Sequence, residues 1–322
     1  MKKLTIKEAA ELLLDDEAIA MPTETVYGLA ADARSDGAVH KIFEAKGRPT
    51  DNPLIVHIGD VDQVEQLATD VSQKAYLLMD RFWPGPLTII LPSAGMVSEL
   101  VTAGLTTVGL RMPSHPVALE LLRTAGIPLA APSANRSGKP SPTRAQHVIH
   151  DMAGRILGVV DGGICDVGLE STVIDMTLET PVILRPGGIS KAQIESVIGA
   201  VNISNEQSEQ PKSPGMKYAH YAPNATVYLV KGDHTYFEEI VRRFKEEGCK
   251  IGVLCLDTAR EKYPLADVVK GIGVQGKHLY AALREFDAQG VDVILSDHFD
   301  DEAVMNRLMK ASEERVLSDV ED

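Results

Sequence analysis

The chain has 322 residues, a formal net charge of −14, and 44% apolar and 24% charged residues. That length exceeds what one typical core holds, so two domains are expected, and the acidic balance disfavours broad binding to nucleic acid or membrane surfaces. The only cysteines are Cys165, Cys249 and Cys255, with no Cys-x-x-Cys, which argues against a zinc ribbon or a disulfide framework and fits a reducing compartment. Behind Lys2 and Lys3, the acidic residues Glu8, Glu11, Asp15, Asp16 and Glu17 interrupt any apolar core. Neither a signal peptide nor a transmembrane helix is expected, and the expected location is cytoplasmic.

Apolar spacing predicts an amphipathic helix over 5–15, with Ile6, Ala9, Ala10 and Leu13 on one face. A short strand at 18–22 and a short helix at 38–45 follow. Strand candidates are 54–58, 87–91, 108–112, 129–132, 156–161 and 171–175, with a helix at 117–125. Residues 204–214 are polar, lack aromatics and end in prolines, which is linker composition. Beyond it strands and helices alternate: strand 226–230, helix 236–247, strand 250–256, helix 279–288, strand 291–295 and helix 302–312. Such alternation predicts a small α/β domain with a mainly parallel sheet.

Polar residues gather in the turns of the first part. The segment 22–28 reads Pro-Thr-Glu-Thr-Val-Tyr-Gly, and Lys46-Gly-Arg-Pro and Asp51-Asn-Pro-Leu-Ile-Val-His follow. Lys46 and Arg48, before a proline, are expected in an extended or turning segment from which both heads reach one anion. Arg111 and Arg185 each close an apolar run. Four cations in such settings point to an anion site such as a triphosphate. Residues 130–143, rich in Pro and Ser, leave amides and hydroxyls free to meet a ligand. Gly162-Gly163 and Gly168-Leu-Glu-Ser-Thr-Val supply a further close-approach loop. Three other features read as structure. Gly271, Gly273 and Gly276 have dinucleotide-fingerprint spacing but are expected to form a helix-entry loop. His147, His150 and Asp151 read as a solvated helix face rather than a metal site. Cys165 reads as packing rather than a nucleophile. There is no Walker A motif and no Gly-x-Ser-x-Gly.

These segments, with Pro84-Gly-Pro-Leu-Thr, Val108-Gly-Leu-Arg-Met-Pro, Ala131-Pro-Ser-Ala-Asn, Glu170-Ser-Thr-Val-Ile-Asp and Leu184-Arg-Pro-Gly, resemble the YrdC-like domain, in that family's order across residues 1–200. Ser213-Pro-Gly-Met-Lys-Tyr-Ala-His-Tyr-Ala-Pro resembles the linker of its two-domain members, and Leu279-Tyr-Ala-Ala-Leu-Arg-Glu-Phe-Asp their C-terminal domain. The resemblance implies an α/β protein: a YrdC-like twisted mixed-sheet domain over 1–203, a linker or lid over 204–224, and a smaller Rossmann-like α/β domain over 225–322. It implies L-threonylcarbamoyladenylate synthase activity, a nucleotidyl transfer that joins L-threonine, bicarbonate (or CO2) and ATP and releases pyrophosphate. Partner enzymes then transfer the threonylcarbamoyl group to tRNA. By the resemblance, Thr25, His57, Arg111, Ala131 (through its backbone) and Ser171 hold threonine. Arg48, Asn52, Thr107, Ser133, Ser141, Arg185 and Tyr221 hold ATP. Lys46 and Arg48 act at the phosphates. Mg2+ is expected to arrive with the nucleotide, without dedicated protein ligands.

The residue types suit this chemistry. A cation such as Arg111 can take the threonine carboxylate, while Thr25, His57 and Ser171 can meet its hydroxyl and amine. Attack of a carbamate on the α-phosphorus needs alignment and charge neutralisation more than a covalent nucleophile. For Tyr221 to reach ATP, the inter-domain segment would fold back as a lid that excludes water. Two other expectations belong to the same family resemblance: an RNA-binding module with weak direct tRNA contact, disfavoured by the charge, and a carbamoyltransferase of the hydrogenase-maturation type, whose acylphosphatase and zinc-finger patterns are absent from the sequence.

Overall fold

In the computed structural model, the described residues are 1–204 and 221–319. The expected linker or lid therefore lies mostly outside the described residues, at 205–220. The chain forms two compact units, residues 1–137 with 141–218, and residues 219–322 with 138–140.

The first unit is built on an eleven-stranded mixed sheet. Its strands run in spatial order Lys2–Lys3, Gly158–Val159, Ile19–Met21, Gly28–Asp32, Leu129–Ala130, Ile55–His57, Thr107–Arg111, Leu87–Pro92, Thr172–Asp175, Val182–Arg185 and Asn202–Ile203. Side chains alternate between faces along a strand. Accordingly Ala20, Leu29, Ala31, Val56, Leu110, Ile89 and Ile174 enter one large core. Helices Asp36–Lys46, Gln73–Phe82, Ala145–Met152 and Lys191–Ile198 contribute Ile42, Phe43, Leu78, Met79, Val148 and Ile194 to it. Their intervening neighbours Ile19, Met21, Ala30 and Leu129 pack on the opposite face, against helices Ile6–Leu14 and Pro116–Ala125. Those two helices cover only the strands toward one edge of that face. Farther across it, the apolar residues form a smaller group of Ile55, Ile90 and Val173, flanked by Leu184.

Local signals set the helix ends. Thr5 and Glu8 form a reciprocal capping box at the first helix. Helix Asp36–Lys46 starts at the Ser35 cap and stops at Gly47, whose φ of 62° is left-handed. Lys46 is therefore the last residue of a helix, where its charge opposes the negative end of the dipole, and not part of the extended turn expected for it.

The second unit carries five parallel strands in spatial order Val268–Ile272, Ile251–Leu256, Val293–Ser296, Thr226–Lys231 and Val316–Ser318. Helix His234–Glu246 buries Phe237, Ile240, Val241 and Phe244, the face expected from its spacing. In chain order the strands stand 3-2-4-1-5, which differs from the 3-2-1-4-5 core of a dinucleotide-binding sheet. Gly271 lies inside the third strand, where a Cβ would strike Asp257 and Arg260. Close packing accounts for that glycine.

Candidate active site

Strand register assembles the site. His57 is the direct partner of Arg111 on adjacent parallel strands, and Ile55 the partner of Gly109. Partners in register share a face, as do residues two apart. Gly109 pairs with Ile90 and Thr107 with Pro92, Thr88 pairs with Val173, and Val173 pairs with Arg185 after a register shift between Ile183 and Arg185 that brings Arg185 to the face of Leu184. His57, Thr107, Arg111 and Arg185 therefore share the sheet face that carries Ile55, Ile90 and Val173.

Arg111 is buried, and three of its five N–H donors are engaged. It donates to Glu24 Oε1 at 2.5 Å, to Thr25 Oγ1 at 3.0 Å and to the Gly85 carbonyl at 3.3 Å. The segment 22–28 is shaped for this contact by Thr23, whose hydroxyl accepts from the Thr25 and Val26 amides and lies 2.8 Å from Thr25 Oγ1. Tyr27 ties the same segment to the glycine loop, because its hydroxyl donates to the Gly163 carbonyl at 2.7 Å and accepts from the Gly162 amide at 3.1 Å. Burial, with the Arg111 charge adding to it, pushes the His57 ring down to about 3, so it is neutral near pH 7. Its Nδ1 is buried and accepts no hydrogen bond. The Ala131 amide donates to the Ile55 carbonyl at 3.0 Å, which lays its backbone beside the same strand.

Ser171 links this region to the next. Its hydroxyl is 2.8 Å from Thr88 Oγ1, and its carbonyl accepts from Arg185 Nη2 at 3.0 Å and Nε at 3.2 Å. Arg185 Nη2 also reaches Ser171 Oγ at 3.2 Å. Next along the chain, Glu170 accepts from Ser141 Oγ at 2.6 Å. A Cβ on Gly187 would strike the backbone of Glu170, Ser171 and Thr172, so this glycine lets two chain segments close on each other.

Lys46 is buried and its Nζ donates to the Ser133 carbonyl and, at 2.8 Å, to the Asn135 carbonyl. The lysine thus pins the loop that holds Ser133 and Asn135. Burial lowers its amine to about 7, with Arg48 adding repulsion and Asp151 and Glu170 opposing. Arg48 donates to the Asn52 carbonyl at 3.2 Å. The Asn52 side chain is fully buried, yet neither its Oδ1 nor its Nδ2 has a hydrogen-bond partner. A buried amide left unpaired costs about 1–3 kcal/mol.

Tyr221 belongs to the second unit, where its ring stacks on Tyr280 at 5.2 Å. Cys165 is buried, and desolvation together with Glu24 pushes its thiol up to about 12, the opposite of an activated nucleophile. His147 Nδ1 accepts from the Thr143 amide at 3.2 Å, a helix-entry contact. Among the described residues no three His, Cys, Asp or Glu side chains converge as metal ligands. Sequence reasoning missed Glu24, Thr88 and Glu170. Their signal was position alone, each lying beside or across from an expected site residue.

Comparison with known proteins covers both units. Residues 11–187 match the Sua5, YciO and YrdC family model, described as telomere recombination, and residues 189–313 match the model of the threonylcarbamoyl-AMP synthase C-terminal domain. The chain is 51% identical to the threonylcarbamoyl-AMP synthase of Bacillus subtilis over 97% of its own length and 94% of that protein. It is 48% identical to the enzyme of that name from Pyrococcus abyssi over 97% of its own length and 95% of the relative. The crystal structure of P. abyssi Sua5 complexed with L-threonine superposes with a TM-score of 0.92, at 47% identity, over 97% of this chain and 95% of that one.

Proposed function

The chain belongs to the Sua5/YrdC family in its two-domain threonylcarbamoyl-AMP synthase form, and we propose from this premise that it makes threonylcarbamoyl-AMP and pyrophosphate from L-threonine, bicarbonate (or CO2) and ATP. The observation that carries the reading is the convergence of His57, Arg111, Thr107 and Arg185 on one sheet face through strand register.

Arg111 takes the threonine carboxylate in its guanidinium fork. Neutral His57 and Thr25 meet the hydroxyl, and Ser171 with the Ala131 backbone completes the amino-acid side. Arg48, Asn52, Thr107, Ser133, Ser141 and Arg185 hold the nucleotide. The carbamate oxygen of carboxylated threonine attacks the α-phosphorus, and the bond to pyrophosphate breaks. Lys46, Arg48 and Arg185 neutralise charge on the leaving group. Mg2+ carried by ATP would share that load. Rate enhancement then comes from alignment and electrostatics. The product passes to enzymes that transfer the threonylcarbamoyl group to tRNA.

The test is mass spectrometry of products from ATP, bicarbonate and each of several amino acids. Threonine-dependent pyrophosphate with a threonylcarbamoyl adduct is expected. Equal turnover with serine, valine and threonine, or ADP in place of AMP-linked product, would refute the assignment. In the same assay Arg48→Ala should abolish pyrophosphate release while the fold survives.

A further inference from the structure

We infer that Glu24 is the ammonium receptor of the amino-acid site and, with Arg111, makes it selective for the zwitterion. The inference rests on the threonine reading of that site. Glu24 is one residue from Thr25 in the turn that Thr23 shapes. It is 5% exposed, and one carboxylate oxygen, Oε1, accepts from Arg111 Nη2 at 2.5 Å. The other, Oε2, is equally buried and has no hydrogen-bond partner.

A carboxylate with a single charged partner leaves most of its acceptor sites unused, and a buried unused acceptor is costly. An α-amino acid carries its ammonium one carbon away from its carboxylate. An arginine and a glutamate joined side by side present the complementary pair of charges at that spacing. Arg111 spends three of its five N–H donors on Glu24, Thr25 and the Gly85 carbonyl, which leaves two for the incoming carboxylate, and Glu24 Oε2 accepts from the ammonium. The other buried group nearest Arg111 in register, His57, is neutral and cannot supply a negative charge. Cys165 is held as a thiol in part by Glu24 itself. Among these neighbours Glu24 alone carries a negative charge to set against the ammonium. The pair therefore does two things: it orients the arginine, and it rejects hydroxy acids that lack the amine.

Equilibrium dialysis on the full chain separates the two roles. The ligands are L-threonine and (R)-3-hydroxybutanoate, which lacks only the amino group. Glu24→Gln keeps an oxygen for Arg111 but removes the charge. It should weaken L-threonine roughly ten- to a hundredfold and leave (R)-3-hydroxybutanoate within about twofold. Equal weakening of both ligands would mean that Glu24 only holds Arg111, and no weakening of either would mean that it does not face the ligand. Both results overturn the inference while the threonine site stands. A wild-type chain that fails to bind L-threonine overturns the inference and the functional reading together. If Glu24→Gln does not fold, Glu24→Asp carries the test. It keeps the charge but withdraws it by about one carbon–carbon bond, ~1.5 Å. It should again weaken threonine more than the analogue, and equal effects on the two refute selectivity.

Discussion

His57 and Arg111 are register partners on adjacent parallel strands, 54 positions apart in the chain, and both are buried on one sheet face. A neutral imidazole thus stands beside a guanidinium that already grips Glu24 and Thr25. The consequences for threonine binding, pH response and stability can each be measured.

Arg111→Lys should remove threonine-dependent pyrophosphate release, because an ammonium cannot serve Glu24, Thr25 and a carboxylate in one plane. Arg111→Ala should in addition destabilise the chain by about 3–5 kcal/mol, since it strands the buried Glu24. Urea unfolding beside the pyrophosphate assay separates the effects. An alanine variant as stable as wild type contradicts the buried ion pair.

The pH dependence of stability follows from His57. Its native value of about 3 lies below the ordinary 6.5, so between these pH values the unfolded chain holds the extra proton. Stability contributed by the neutral ring is full above about 6.5 and declines as pH falls toward 3, by at most about 1.4 kcal/mol per pH unit. His57→Gln should flatten this slope in denaturant titrations between pH 4 and 7. An unchanged slope assigns the acid sensitivity elsewhere.

Lys46 sits near neutrality, at about 7, because it is buried beside Arg48. A polyphosphate bound there favours the charged amine. Binding of ATP at pH 8 should therefore take up protons, visible as a dependence of calorimetric heat on the ionisation enthalpy of the buffer. Lys46→Met should abolish that uptake. Buffer-independent heats in the wild type would place Lys46 away from the phosphates.

Asn52 offers a stability–function separation. Its buried amide is unpartnered, so Asn52→Ala should leave the melting temperature unchanged or raised. The same change should raise the KM for ATP roughly tenfold. A large loss of thermal stability with normal ATP dependence would make Asn52 a structural residue only.

Gly187→Ala should reduce activity more than its size suggests. The added methyl meets the Glu170–Thr172 backbone and must push apart the segments that carry Ser171 and Arg185. Overpacking of this kind costs about 1–3 kcal/mol, and displacement at the site should raise the KM for threonine and ATP together. An effect on one substrate alone would show that the two segments move independently.

Much of the second unit was legible because its strands and helices differ in period. Helix His234–Glu246 shows this in the spacing of Phe237, Ile240, Val241 and Phe244. The first unit was less so. Strand Gly28–Asp32 is buried on both faces, so Gly-Leu-Ala-Ala-Asp shows no alternation to read. Helices Gln73–Phe82 and Lys191–Ile198 stand where no element is expected from the sequence. Lys46 was expected in a turn because Gly47, Arg48 and Pro49 follow it, yet the left-handed Gly47 ends a helix that includes it.

The sequence by itself determined the residue types of the candidate site and their order along the chain, because motif chemistry is a local property. It could not determine that His57, Thr107, Arg111 and Arg185 share a face. Register arises from pairing between distant strands, and a slip of one residue would send each side chain to the opposite face. Nor could it single out Glu24 among 46 acidic residues. Only burial beside Arg111, with one carboxylate oxygen engaged and the other not, distinguishes that carboxylate from a solvated one.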